Sequence, residues 1–264
     1  MKIALAQMDV KQAGFIENIQ EAKRLIKKAL EEKAELIVFP EMFLSGFHYG
    51  KNKEFLLKNR TFLKDELSKL AKEHNIAICG STCAIDDEDN VYNRLYFFDE
   101  NGEILAQYDK IHLFTLFNED KHIKNGTQLI SLDYKGLKFG LSICYDLRFP
   151  EMFRAMTFQG VDAFILPAGW PHPRLAHWQH LIRARAIENQ AYFIAVNQGG
   201  TENFGMSDIN YFGSSSVIDP WGETLAQAKL DEPDLLFAEI DPALAQKVRN
   251  KLNALQDAYF YKNQ

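Results

Sequence analysis

The stretch Leu36-Ile37-Val38-Phe39-Pro40-Glu41 is a continuous apolar run that a proline ends and a carboxylate follows. Four consecutive apolar side chains predict a short strand that is covered on both faces, as in the interior of an α/β sheet. Pro40 ends the run because proline cannot donate a hydrogen bond to a neighbouring strand. Glu41 is therefore predicted to lie just beyond the carboxyl end of a buried strand, where α/β folds bind ligands.

Strand and helix patterns alternate on both sides of this run. The predicted strands cover residues 3–8, 36–39, 76–79, 91–98, 104–108, 129–134, 137–143, 163–166, 192–197, 215–218, 223–226 and 235–240. The predicted helices cover residues 16–30, 54–74, 149–159, 175–190 and 242–255. Hairpin signals at 101–102, 135–136 and 219–222 interrupt the alternation, so the sheets must be mixed. The pattern predicts an α/β fold with two central mixed sheets and outer helices.

The composition is that of a folded protein. With 264 residues, 47% of them hydrophobic and 25% charged, we expect one domain spanning residues 1–264. The 30 Lys and Arg residues against 36 Asp and Glu give a net charge of −6 without a dense basic block, which disfavours nucleic-acid binding. No run approaches the roughly 20 apolar residues that cross a bilayer. The apolar start ends at Asp9 and is too short for a signal peptide, so we expect a cytoplasmic protein.

Three reactive side chains follow separate apolar strands, namely Glu41, Lys110 and Cys144. A thiol is a strong nucleophile only as the thiolate, and a nearby glutamate can take its proton. A lysine ammonium stabilises both the thiolate and a developing oxyanion. One cleft that collects these three groups would support acyl transfer through a thioester. Taken alone, Lys110 beside Asp109 would be read as a surface ion pair, and Cys144 as a small buried hydrophobe.

The remaining cysteines and a group of histidines have a plainer interpretation. Cys79 and Cys83 form a C-x₃-C pair without a second pair, which lacks the spacing of a zinc site. With Cys144 they make an odd and sparse set, which fits a reducing compartment. The histidines are His172, His177 and His180. We expect them to pack and hydrogen-bond near the start of a helix rather than to bind a metal. No metal is expected.

Six segments together resemble the nitrilase, or carbon-nitrogen hydrolase, superfamily. They are LIVFPEMF at 36–43, YDKIHLF at 108–114, CYDLRFPE at 144–151, AHW at 176–178, RARAIENQ at 183–190 and DPWGE at 219–223. The resemblance spans nearly the whole chain. Within the superfamily the chain looks most like the omega-amidases, and the segment GWPHPR at 169–174 particularly resembles their bacterial branch. It implies a four-layer α-β-β-α sandwich of two mixed sheets covered by outer helices.

The resemblance also implies roles for single residues. Glu41 would be the general base, Lys110 the oxyanion-stabilising cation and a candidate proton donor, and Cys144 the nucleophile. Glu119, in Phe117-Asn118-Glu119, would be a second glutamate that orients Lys110 or the substrate amide, with the adjacent Asp120 as the alternative. The backbone N–H of Tyr145 would donate to the oxyanion. The candidate substrate-binding residues beside the pocket are Arg148, Trp170, Arg174 and His177.

The implied activity is hydrolysis of a small carboxamide to a carboxylic acid and ammonia, without a cofactor. Omega-amides of dicarboxylic acids, such as 2-oxoglutaramate, are the expected substrates. An N-carbamoyl amino acid amidohydrolase, a deaminated glutathione amidase and a nitrilase remain open, as do two non-enzymatic functions: an idle binding subunit, or a thiol redox sensor built on Cys79 and Cys83. The resemblance further implies a homodimer, with the helix from Phe149 and the tail at 257–261 as candidate contacts.

Overall fold

The computed structural model describes residues 1–203 and 208–259. In chain order the strands are β1 Lys2–Gln7, β2 Leu36–Val38, β3 Ala77–Ile85, β4 Val91–Phe98, β5 Ile104–Asp109, β6 Ser131–Tyr134, β7 Leu137–Leu141, β8 Ala163–Ala168, β9 Tyr192–Asn197, β10 Gly199–Asn203, β11 Asp208–Phe212, β12 Ser216–Ile218, β13 Thr224–Gln227 and β14 Asp234–Glu239. The helices are α1 Phe15–Glu31, α2 Tyr49–Lys58, α3 Phe62–His74, α4 Pro150–Phe158, α5 Leu175–Asn189 and α6 Leu244–Lys251.

The described strands form two six-stranded sheets and one two-stranded sheet. The first large sheet has the order β14-β1-β2-β3-β4-β5, and the second has the order β13-β12-β9-β8-β7-β6. In the first sheet β1, β2 and β3 are parallel, and in the second β7, β8 and β9 are parallel. The outer strands of both sheets pair antiparallel. Both sheets are therefore mixed, as the alternation of strands, helices and hairpins predicted.

The two large sheets face each other and carry helices on their outer faces. Side chains alternate along a strand, so Leu36 and Val38 pack into the core between the sheets, whereas Ile37 and Phe39 pack under α1 and α3. The rings of Phe97 and Phe139, one from each sheet, lie 5.9 Å apart. Helices α4 and α5 cover the second sheet. The four-layer α-β-β-α prediction is confirmed.

Two predicted elements have the wrong boundaries, one at Asn59 and the other at Gly80. The helix predicted over 54–74 is two helices, α2 and α3, and Asn59 ends α2 by donating from Nδ2 to the carbonyl of Phe55 at 3.0 Å. The strand predicted to stop at residue 79 continues through Gly80 to Ile85. A Cβ on Gly80 would lie 2.8 Å from the Phe43 ring, so glycine here makes room for an aromatic side chain instead of ending the strand.

Two further differences lie in the second half of the chain. The closing helix predicted over 242–255 is shorter, since α6 covers only Leu244–Lys251. The β10–β11 ribbon was not predicted, because Gly199 and Gly200 give no strand signal. Of the predicted tail contacts, Phe260 and Tyr261 lie outside the described residues. Within 1–203 and 208–259, none of the helices has the length and apolar character that a membrane span requires.

Candidate active site

Glu41, Lys110 and Cys144 meet at one cavity between the ends of the two large sheets. Glu41 follows β2, Lys110 follows β5, and Cys144 lies three residues beyond β7. The cavity holds about 370 Å³ and is lined by Glu41, Phe47, Tyr49, Lys110, Phe114, Leu116, Phe117, Asn118, Glu119, Cys144, Gly169, Ile209 and Tyr211. The three predicted reactive groups are thus brought together, although Cys144 lies 103 positions after Glu41 in the chain.

Lys110 is buried between two carboxylates. Its Nζ lies 2.8 Å from Glu41 Oε1, 2.8 Å from Glu119 Oε2 and 3.0 Å from Glu119 Oε1. Burial lowers the pKa of Lys110, but the charges of Glu119 and Glu41 outweigh it and hold that pKa well above its usual value. The ammonium is therefore a permanent cation in the cavity, as an oxyanion-stabilising group must be.

Glu41 is held at both its backbone and its carboxylate. Gln198 Nε2 donates to the carbonyl oxygen of Glu41 at 2.8 Å, and the amide of Gly169 donates to Oε2 at 2.8 Å. The side chain is only 1% exposed. A carboxylate fixed in this way at the end of a buried strand points into the cavity and can accept a proton from a neighbouring thiol.

Glu119, and not Asp120, contacts the lysine. Glu119 is buried, and its Oε2 also accepts a hydrogen bond from the amide of Phe114 at 2.7 Å. Asp120 is the next residue in the same short turn, Glu119–Lys121, and is exposed. The carboxylate of Glu119 therefore holds the Lys110 ammonium together with that of Glu41.

Cys144 begins a short 3₁₀-helix, Cys144–Arg148, in a left-handed backbone conformation with φ of +45°. This conformation is unfavourable for a residue with a Cβ and persists only where the surroundings fix it. The fully buried Asp146 supplies that support, because its Oδ2 accepts the amide of Ile143 at 2.8 Å and the hydroxyl of Tyr108 at 2.7 Å. The turn presents Cys144 to the cavity.

The surroundings of Cys144 shift the pKa of its thiol. Burial raises its pKa, the charge of Glu41 raises it further, and Lys110 lowers it, so that the pKa stands well above its usual value. A raised thiol pKa favours the protonated form, so a base is needed to generate the thiolate, as the sequence predicted. The Glu41 carboxylate is the neighbouring group that can accept this proton.

A narrow cleft beside Cys144 contains four of the five predicted substrate-binding residues. Its volume is about 20 Å³ and its lining includes Tyr145, Arg148, Trp170 and Arg174. The guanidinium of Arg148 lies 4.7 Å from the Trp170 ring, and that of Arg174 lies 6.0 Å from the Phe114 ring. Within the described part of the chain neither arginine forms an ion pair with a carboxylate. Glu151, three residues after Arg148, does not pair with it there.

The histidines lie outside the cavity. His177 is exposed and its Nδ1 is 3.3 Å from Arg148 Nη2, so it contacts the cleft only through that arginine. His172 pairs with Asp231 at 2.6 Å, and His180 Nδ1 lies 2.5 Å from the carbonyl oxygen of Ala176. In residues 1–203 and 208–259 there is no group of three His, Cys, Asp or Glu side chains arranged to hold a metal ion.

The other two cysteines are buried in β3 and remote from solvent. Burial raises the pKa of Cys79 well above its usual value and raises that of Cys83 to about 12. Neither thiol lines the cavity that contains Cys144. Both therefore have the low reactivity of core thiols, which speaks against a redox sensor built on this pair.

Sequence reasoning missed Asn93 and Tyr49. Asn93 is buried in β4, and its Nδ2 lies 2.8 Å from Glu41 Oε1. A polar side chain inside the apolar run of β4 was the available signal. Tyr49 lines the cavity at the start of α2, stacked on His122 with 5.1 Å between ring centroids. Burial, together with the charge of Glu119, raises the pKa of this phenol, so it stays neutral and can donate a hydrogen bond.

Comparison with known proteins gives a family match and several similar amidases. The family model described as carbon-nitrogen hydrolase matches residues 2–250. The 2-oxoglutaramate amidase of Bacillus subtilis (strain 168) is 34% identical over 255 residues, which cover 97% of this chain and 96% of that protein. The deaminated glutathione amidase of Dictyostelium discoideum is 36% identical over 244 residues, covering 85% of this chain and 82% of that protein.

A solved structure is similar throughout its length. It is a glutamate-to-glutamine mutant of the amidase from Nesterenkonia sp. AN1, with a TM-score of 0.85 and 26% identity, covering 96% of this chain and 98% of that chain. In that mutant, acrylamide has undergone Michael addition at the active site cysteine. The likeness covers both large sheets and their outer helices, so the fold is shared.

Proposed function

Because the chain belongs to the carbon-nitrogen hydrolase family, we propose that Cys144, Glu41, Lys110 and Glu119 form its catalytic site. The protein is a cysteine-dependent amidase that hydrolyses a small carboxamide to a carboxylic acid and ammonia. The observation that carries the assignment of residues is the buried contact of Lys110 with Glu41 and Glu119, in the same cavity as the Cys144 thiol.

In the first half of the reaction, Sγ of Cys144 attacks the carbonyl carbon of the amide while Glu41 takes the thiol proton. The carbonyl oxygen becomes an oxyanion, which the Lys110 ammonium and the backbone N–H of Tyr145 stabilise. The carbon-nitrogen bond then breaks, and the proton held by Glu41 passes to the departing nitrogen. Ammonia leaves, and a thioester joins the acyl group to Cys144.

In the second half, water attacks the thioester carbon while Glu41 takes a proton from it. A second oxyanion forms at the same position and collapses with cleavage of the carbon-sulfur bond. The proton on Glu41 returns to the sulfur, and the carboxylic acid is released. Glu119 keeps the ammonium of Lys110 in place in both halves, since its two oxygens both contact Nζ.

The substrate that the site favours is an omega-amide of a dicarboxylic acid, such as 2-oxoglutaramate. Arg148 and Arg174 lie at the cleft beside Cys144 without a carboxylate partner in the described residues. A substrate carboxylate would supply one, and arginine binds carboxylates with two parallel hydrogen bonds. Trp170 and Tyr145 form the apolar wall of the cleft, and His177 supports Arg148 from outside.

Ammonia release across a panel of compounds tests this function. The panel contains 2-oxoglutaramate, an uncharged amide of the same length, deaminated glutathione, an N-carbamoyl amino acid and a nitrile. We expect the highest kcat/KM on 2-oxoglutaramate, with the uncharged amide well below it. Higher kcat/KM on deaminated glutathione would favour the activity of the Dictyostelium relative, and no turnover of any compound would contradict an enzymatic function.

We further propose a single domain that forms a homodimer in the cytoplasm. The family match over residues 2–250 and the core shared by both large sheets support one domain. The three cysteines are free, which fits a reducing compartment. Ile187 on α5 is 49% exposed, and α5 packs against α4, which makes this helix pair the candidate dimer contact. Light scattering at micromolar concentration should give the mass of two chains, and a mass of one chain would contradict the dimer.

A further inference from the structure

Asn93 lies between the two carboxylates that share Lys110. It sits in the middle of β4, opposite Cys83 of β3, and is 1% exposed. Its side-chain amide nitrogen is 2.8 Å from Glu41 Oε1 and 3.4 Å from Glu119 Oε1. The backbone of the same residue is also used, since its carbonyl accepts the amide of Lys110 at 3.0 Å. Asn93 therefore touches the base, the second glutamate and the lysine.

The amide oxygen of Asn93 indicates that the contact between its NH₂ group and Glu41 does more than fill space. Oδ1 is buried and has no hydrogen-bond partner among the described residues. An unpaired buried acceptor costs folding free energy, because the group has lost its hydrogen bonds to water. Turning the amide over would not remove that cost, because Oδ1 would then face the Glu41 carboxylate at about the position that the NH₂ group now occupies. The unpaired oxygen is thus tolerated so that a donor faces Glu41.

The contacts divide the two oxygens of Glu41 between different tasks. Oε1 accepts both the Asn93 amide and the Lys110 ammonium, whereas among the N–H groups of the described residues Oε2 accepts that of Gly169 alone. Each carboxylate oxygen has two lone pairs. Oε1 is therefore saturated, and the remaining capacity to accept a proton from the thiol lies on Oε2.

We propose that Asn93 is a positioning residue, which holds Oε1 of Glu41 so that Oε2 stays aimed at the Cys144 thiol and the departing nitrogen. This inference rests on the amide hydrolysis proposed above. When Glu41 becomes protonated, Lys110 keeps its two contacts with Glu119 and turns toward the oxyanion. Asn93 then remains as the side-chain donor on Oε1, and it stops the carboxyl group from rotating before the proton has been delivered. A neutral donor achieves this without adding a second cation that would compete with Lys110.

The test separates this role from folding and from substrate binding. Asn93→Asp keeps the volume but replaces the donor by an acceptor, and Asn93→Ala removes both. The matched control is Asn189→Ala, because Asn189 is also fully buried, also donates one hydrogen bond, to the carbonyl of Arg185 at 2.9 Å, and also has an unpaired Oδ1. It does not line the cavity. The substrate is whichever amide of the panel the wild type hydrolyses fastest.

Both Asn93 variants should lower kcat by about 30-fold or more, a part of the 10²–10⁴ that a positioned general base contributes. KM should stay within about threefold, since Asn93 acts on the base and not on the substrate. The control should keep kcat within about twofold at a comparable loss of Tm.

Three results would overturn the inference while leaving the proposed function intact: an unchanged kcat in Asn93→Asp, a rise in KM alone, or an equal loss of kcat in Asn189→Ala at equal Tm. Wild-type protein that releases ammonia from no amide would overturn both.

Discussion

Replacing Lys110 by methionine removes the cation from the catalytic cavity while keeping most of the volume of the side chain. Lys110 is 2% exposed and makes three contacts of 2.8–3.0 Å with two carboxylates that are equally buried. The loss of one oxyanion-stabilising donor typically lowers kcat by about 10²–10³. The kcat of Lys110→Met should fall by at least this factor, because the cation also sets the position of Glu41.

The same change should destabilise the fold in a pH-dependent way. Removing one partner of a buried ion pair costs about 3–5 kcal/mol, because the other charge is left uncompensated. In the wild type, the raised pKa of Lys110 fixes the alkaline limit of its ion pairs: the ammonium contributes fully up to the unfolded lysine pKa of about 10.4, and its contribution is lost as the pH rises through the folded pKa. In the variant, two carboxylates face each other without a cation. Protonation of one relieves the repulsion, so the stability gap to the wild type should narrow as the pH falls from 8 to 5.

A second substitution separates the two effects. Lys110→Met combined with Glu119→Gln leaves one carboxylate in place of two, so it should recover about half or more of the lost unfolding free energy. It should recover none of the kcat, since the cation is still missing. Urea denaturation at pH 5, 6.5 and 8 and the ammonia assay are the measurements. The account would be refuted by a kcat within about threefold of the wild type in Lys110→Met, or by recovery of activity together with stability in the double variant.

Three further predictions concern single cysteines and one arginine. Cys144→Ala should abolish turnover at an unchanged Tm, whereas Cys79→Ala, a substitution in the core, should cost about 1 kcal/mol of stability and leave kcat near the wild-type value; equal activity losses would contradict the assignment. Because the pKa of the Cys144 thiol is raised, its alkylation by iodoacetamide should become faster as the pH rises from 6 to 9, and a rate that is already constant at pH 6–7 would indicate a resting thiolate instead. Arg174→Ala should lower kcat/KM for a dicarboxylic acid monoamide by a factor equivalent to about 2–5 kcal/mol of transition-state stabilisation, and should scarcely change it for an uncharged short amide. Equal losses on both substrates would indicate a structural role.

The sequence carried enough information to place the reactive groups but not their supports. The four apolar residues before Pro40 require a doubly covered strand, so the position of Glu41 at a strand end followed from local chemistry alone. The role of Asn93 could not be predicted in this way, because its partners Glu41 and Glu119 are 52 and 26 residues away in the chain. A polar side chain in β4 does not indicate which residues it will contact. The left-handed turn at Cys144 is likewise imposed by Asp146 and Tyr108, not by a glycine that could be read from the sequence.

The failures at secondary-structure level have the same origin. Glycine disfavours strands in general, yet β3 continues through Gly80 because the Phe43 ring occupies the space that a side chain there would fill. Helix α2 begins at Tyr49, five residues before the periodic pattern began to predict it, because His48 accepts the amide of Lys51 and starts the helix by itself. In both places a tertiary or capping contact outweighs local propensity.

The most direct test of the catalytic account is the identity of the covalent intermediate. Wild-type protein is mixed with excess 2-oxoglutaramate, quenched with acid within the first turnovers and analysed by intact mass and peptide mapping. The account predicts an adduct with the mass of the substrate minus ammonia on the peptide that contains Cys144, removed by hydroxylamine as a thioester is. Turnover with no adduct on Cys144, or with the acyl group on another residue, would contradict it.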